Sequence, residues 1–133
     1  MFGALDISTS GLVAQRINLD TIVGNIANMQ TTQRVDGQTG PYLRRVALLT
    51  SGDGRGGDGV HVQSVVEDTQ SKTRAIKDPS HPDADANGIV YYPNIDPSTE
   101  MVNAMVAVRA YEANLTAIES TKSIVASTLR ILA

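Results

Sequence analysis

The sequence predicts an α+β fold in which long N- and C-terminal helices form a coiled-coil-like layer and a small antiparallel β unit is inserted between them. Three observations predict it. All five prolines and eight of the eleven glycines lie between residues 33 and 97. Apolar residues recur at heptad spacing in both flanks. The middle contains short runs rich in Val and Leu, bounded by turn residues. The chain therefore divides into residues 1–32, 33–97 and 98–133, the first and last expected to pack together as one helical domain.

In the N-terminal flank, Leu5, Leu12, Leu19 and Ile26 hold one heptad position and Ile22 and Met29 the next, which reads as a helix from about 4 to 29. Gly11 and Gly24 each cost about 1 kcal/mol against alanine in a helix interior, so this helix needs a partner, and the C-terminal helix is the candidate. Next, Tyr42–Thr50 and Gly59–Glu67 read as strands of a hairpin whose tip is the glycine loop from Ser51 to Gly59. A second pair, about 70–77 and 89–92, brackets the loop from Pro79 to Gly88.

The C-terminal flank carries the strongest periodicity. Met101, Val108, Leu115, Lys122 and Leu129 recur every seven residues, as do Ala104, Tyr111, Ile118, Val125 and Leu132, an a/d seam. Asp96-Pro97 supplies an N-cap acceptor and a proline at the first helical position, with Glu100 in the first turn and Arg130 in the last. A helix over about 97–131 is about 50 Å long, more than a chain of 133 residues covers with its own core. A second apolar edge, Ala110, Ala117, Ile124 and Ile131, implies more than one neighbour. Lys122 at an a position either snorkels to solvent or specifies register.

The net charge of -3, the single Phe and the absence of Trp argue against nucleic-acid binding. Without cysteine there are no disulfides, thiolate metal sites or Cys nucleophiles. No apolar run approaches the roughly 20 residues of a membrane span, and Asp6 interrupts what would be the apolar core of a signal peptide. Gly52, Gly54 and Gly57 satisfy G-x-G-x-x-G, but a strand rather than a helix follows, so no pyrophosphate cradle is expected. Asp83-Ala-Asp-Ala-Asn-Gly88 resembles the opening of an EF-hand loop, yet Asn94 stands where a bidentate Glu is needed, Pro93 precedes it, and Pro79 and Pro82 oppose an incoming helix. Side chains capping their own backbone, with Asn87-Gly88 supplying positive φ, explain the same residues without metal. His61 and His81 have no companion ligands at zinc spacing, and no nucleophile, base and orienter emerge together. Neither an enzyme nor a cofactor is expected.

The run Ser10-Gly11-Leu12 to Arg16, followed by Asn25-Ile-Ala-Asn28, resembles the signature of the bacterial flagellar axial protein family. Further residues resemble, in order and spacing, the proximal rod members of that family: Asp78 to Gly88 with Pro82, Asp83, Asp85 and Gly88, then Tyr92-Pro93-Asn94, Glu100, Arg109-Ala-Tyr111-Glu-Ala-Asn114 and Lys122. Gln33–Gln38 and the loop 51–59 depart from the pattern. The resemblance implies a structural subunit of the basal-body rod that polymerises through its terminal helices into a tube transmitting motor torque across the periplasm. It implies as partners copies of itself, other rod proteins of the FlgB, FlgF, FlgG and FliE type, and the flagellar type III export apparatus, with no cleaved signal peptide, no membrane insertion and no nucleic acid. The two heptad series of each flank would then be subunit-interface residues. The alternatives are another axial rod or adaptor component, which Asp78 to Asn94 argues against, and a calcium-binding or hydrolytic module centred on His81, Asp83 and Asp85.

Overall fold

A computed structural model of the chain describes residues 2–52 and 54–132; Met1, Asp53 of the predicted glycine tip and Ala133 of the predicted third segment lie outside the described residues. The elements follow in the order α1 (Phe2–Ala27), β1 (Arg45–Ser51), β2 (Val60–Glu67), β3 (Arg74–Lys77), β4 (Ile89–Tyr92) and α2 (Pro97–Leu132). The α+β class and the two terminal helices match the expectation.

Each boundary has a local cause. Asp96 Oδ2 accepts hydrogen bonds from the amide (3.0 Å) and hydroxyl (2.6 Å) of Thr99, the predicted cap of α2. At the end of α1 the Asn28 amide donates to the Gly24 carbonyl at 2.8 Å, taking up a terminal acceptor. The helix therefore stops at Ala27, two residues before the predicted end, and Met29 lies beyond it.

The two predicted strand pairs form two separate hairpins. β1 and β2 pair antiparallel from Arg45↔Glu67 to Ser51↔Val60, with an irregularity between Leu48 and Leu49. β3 and β4 pair from Arg74↔Tyr92 to Lys77↔Ile89, and β3 begins at Arg74 rather than at 70. Helix α1 is the centre of the packing: α2 lies along it and the β1–β2 hairpin lies against it. Among the described residues, β3 and β4 pack against no other element and are attached through their loops.

Helices α1 and α2 run antiparallel, since Asn25 near the end of α1 bonds Glu100 at the start of α2, while Gly11 faces Asn114. At 1.5 Å per residue α2 exceeds α1 by about 15 Å, so its last turns run past the start of α1. Among the described residues no helix is long and apolar enough to cross a membrane.

The seam between the helices is narrow and largely small or polar. On α1, Gly11, Ala14, Ile22 and Asn25 are buried; on α2, Glu100 and Ala107 are buried, with Ala104, Ala110, Asn114, Ile118, Thr121 and Val125 half-buried. The predicted series Met101, Val108, Leu115, Lys122 and Leu129 is displaced by one position from this seam and is exposed. Of the second series, Ala104, Ile118 and Val125 border the seam, while Tyr111 and Leu132 are exposed. The physical reason is distance. Gly11, Ala14 and Ala107 let the backbones approach closely, and that closeness leaves the bulkier stripe of α2 facing outward. Leu5, Leu12, Leu19 and Ile26 flank the seam half-buried.

Candidate subunit interface

The outward stripe of α2 is largely apolar, with Lys122 interrupting it between Leu115 and Leu129. Met101 is 62% exposed, Met105 64%, Leu115 44%, Leu129 61% and Leu132 80%. Val13 and Val23 add exposed apolar positions on α1. Single exposed apolar residues are ordinary, but a row of them along a helix is the usual mark of a surface covered by a partner. Lys122 is exposed within this stripe, one turn from Ile118 and two turns from Leu129. Arg109, also in the predicted motif, bonds Glu112 at 2.7 Å one turn away, with both side chains mostly in solvent, so this pair adds little stability.

At the base of the helix pair lies a buried polar junction. Asn25 is fully buried and Glu100 is 1% exposed. The Asn25 amide nitrogen donates to the Arg45 carbonyl at 2.8 Å and to Glu100 Oε2 at 3.0 Å. Its oxygen accepts from the Arg45 amide at 2.8 Å and the Tyr42 hydroxyl at 3.2 Å. Both donors and both lone pairs of the side chain are thus used. Arg44 Nε donates to Glu100 Oε1 at 2.7 Å, compensating the buried charge. Burial pushes the Tyr42 phenol upward, so it remains a protonated donor. Asn25 and Glu100 belong to the predicted motif, and Tyr42 ends the Gly40-Pro-Tyr run that also resembles the family; Arg44 stands outside both, since an arginine before a strand carries no periodic or motif signal.

Ser10 fastens the hairpin to α1. Its hydroxyl donates to the Ile7 carbonyl at 2.6 Å and accepts the Val60 amide at 3.1 Å, where β2 begins. The divergent segment Gln33–Gln38 is tied down by Arg34, which bonds Asp36 at 2.6 Å and Glu67 at 2.8 Å. Hydrogen bonding to Asp36, then to Glu67, raises the Arg34 guanidinium above its ordinary value, with desolvation opposing it.

The Asp78–Asn94 loop places its carboxylates apart. Asp83 accepts the Thr32 hydroxyl at 2.7 Å and the Gln33 amide, joining this loop to the chain leaving α1. Asp85 Oδ1 accepts the amides of Asn87 at 2.8 Å and Ile89 at 2.9 Å, closing its own turn. His81 Nδ1 accepts the Asp83 amide at 3.1 Å. Gly88 alone supplies the positive φ, 73°, and Asn87 does not share it. Among the described residues no three His, Asp or Glu side chains converge as metal ligands. Pro82 and Asn94 are exposed and Pro93 is buried. His61 Nδ1 sits 2.8 Å from the Gly52 carbonyl, closing the base of the glycine tip.

A pair of terminal helices packed through small residues, with large apolar residues exposed along α2, carries two small hairpins. Residues 5–33 match the family model described as flagella basal body rod protein, and residues 86–131 match that of the flagellar basal body rod FlgEFG protein C-terminal region. The class is thus that of flagellar rod proteins. The chain is 39% identical to the flagellar basal-body rod protein FlgC of Bacillus subtilis, over 98% of this chain and 97% of that protein. It is 37% identical to FlgC of Salmonella typhimurium, over 98% and 97%, and 41% identical to FlgC of Aquifex aeolicus, over 93% and 91%. The chain belongs to the FlgC family of flagellar basal-body rod proteins and is a structural subunit of the rod.

Proposed function

We propose that this subunit polymerises through the outward faces of α1 and α2, while the seam between the two helices is closed within each copy. Residues 1–32 and 98–133 act together as the assembly layer, and residues 33–97 form a unit carried outside it. The observation that carries this reading is the row of exposed apolar residues Met101, Val108, Leu115 and Leu129, interrupted by Lys122, over about eight turns of α2. The subunit's neighbours are copies of itself and other rod proteins of the FlgB, FlgF, FlgG and FliE type, in a tube that transmits torque across the periplasm. It reaches the rod through the flagellar type III export apparatus, and it works without catalysis or cofactor.

Leu115→Asp tests the reading. Leu115 is 44% exposed in the single chain, so the substitution leaves stability within about 0.5 kcal/mol. Buried against a neighbour, the carboxylate costs several kcal/mol in every copy. The purified variant is expected to melt like the wild type while cells carrying it assemble no rod and do not swim. Normal swimming would show that the stripe is not an assembly surface.

A further inference from the structure

The polar junction at the base of the helix pair contains more than packing requires. Glu100 lies on α2, Asn25 on α1, and Arg44 with Tyr42 on the segment leading into β1, so three separate parts of the chain meet in one buried network. The Glu100 carboxylate is 1% exposed, and its one ion-pair partner among the described residues is Arg44. A carboxylate taken out of water against Asn25 alone is left with an uncompensated charge, which strongly opposes burial. Apolar contact along the rest of the seam is modest, since Gly11, Ala14, Ala107, Asn114 and Thr121 supply little area beside Ile22, Ile118 and Val125.

We propose that Arg44 is the key of a three-way lock: α1 and α2 close in their native register only when residues 42–45 are seated between their adjoining ends. Folding of the helical layer is thereby coupled to folding of the central unit. Asn25 gives the lock its specificity. Its amide oxygen takes the Tyr42 hydroxyl and the Arg45 amide, and its nitrogen takes the Arg45 carbonyl and Glu100, so sliding one helix by a residue leaves buried groups unpaired. The lock holds only one end of the pair. Residues 18–27 and 98–107 beside it are expected to be the best protected helical segments, while the end of α2 that outruns α1 frays.

Amide exchange on the purified full-length chain tests the lock, with Arg44→Met, Glu100→Gln and the double variant compared with the wild type. Arg44→Met strands a buried carboxylate and is expected to speed exchange in residues 18–27 and 98–107 on the order of a hundredfold. Adding Glu100→Gln removes the stranded charge and is expected to restore most of that protection. A role for the Arg44 stem in packing alone predicts that Arg44→Met, which keeps an unbranched stem of similar reach, exchanges like the wild type. The lock is overturned if Arg44→Met exchanges like the wild type, if the double variant stays as unprotected as Arg44→Met, or if the wild-type segments show no protection. If Arg44→Met fails to fold, the double variant still decides, since recovery of structure supports the lock and continued failure refutes it.

Discussion

At Gly11 the two helices leave no room for a side chain, and replacing it gives a measurable conflict between two opposing effects. A Cβ built there would lie 2.7 Å from Asn114 Nδ2, 2.9 Å from its Cγ and 3.0 Å from its Oδ1. The Asn114 amide is not idle, since it donates to the Ala110 carbonyl at 3.0 Å, so moving it aside breaks a bond as well as a contact. Gly→Ala within a helix gains about 1 kcal/mol of propensity. Forcing a methyl into a filled seam costs about 1–3 kcal/mol, so Gly11→Ala is expected to destabilise by about 1 kcal/mol. In an Asn114→Ala background the obstruction is gone, and the same substitution is expected to stabilise by about 1 kcal/mol. The coupling between the two sites is then about 2 kcal/mol, well above the few tenths expected of independent positions. Urea unfolding followed by helical circular dichroism reads each arm as a midpoint shift of about 0.5–1 M in opposite directions. If Gly11→Ala stabilises equally in both backgrounds, α1 and α2 do not meet at these residues and the seam is wrongly placed.

Gly88→Val places a β-branched side chain at φ 73°, with its Cβ 2.9 Å from Pro79 Cγ. It is expected to cost about 2 kcal/mol or more, seen as faster amide exchange across β3 and β4; unchanged protection would refute the packing at this turn. Because Asp83 and Asp85 are occupied by neighbouring hydroxyl and amide donors, melting of the wild type and of Asp83→Asn with Asp85→Asn is expected to be indifferent to calcium. A calcium-dependent rise in the wild type, lost in the double variant, would show a cation site instead. The carboxyls of Asp36, Asp68, Asp78 and Asp96 are held below the usual range by hydrogen bonds from Arg34, Ser71, Ser80 and Thr99 respectively. Their folded values lie below the unfolded ones, so their contribution to stability is complete above about pH 4 and is lost as pH falls through the lower folded values. Thermal melting across that window is expected to show the loss diminished in Asp96→Asn, and an unchanged acid slope would count against the Thr99 cap.

Much of the local architecture was legible in the residues themselves. Proline and glycine placement marks the irregular middle because those residues act on their own backbone, and Asp96-Pro97 caps α2 through bonds that span only three residues. The Asp85 turn closes on Asn87 and Ile89 for the same reason. Heptad periodicity showed that both flanks are helical and that α2 carries more apolar surface than one partner hides. Periodicity could not say which stripe closes inside the chain. Bulk argued for Met101, Val108, Leu115 and Leu129, whereas close approach chose Gly11, Ala14 and Ala107.

What the sequence by itself determined is therefore the set of elements, their caps and their turns, all governed by interactions between residues a few positions apart. The tertiary structure alone decided that α2 meets α1 through its small and polar side and that the two predicted strand pairs share no common sheet. It also decided that Asn25, Tyr42, Arg44 and Glu100 share one buried network, with Asn25 and Glu100 75 positions apart. A buried polar group has no periodic signature. Its cost is offset only when partners from distant segments arrive together, and that arrival is a property of the folded chain rather than of any stretch of it.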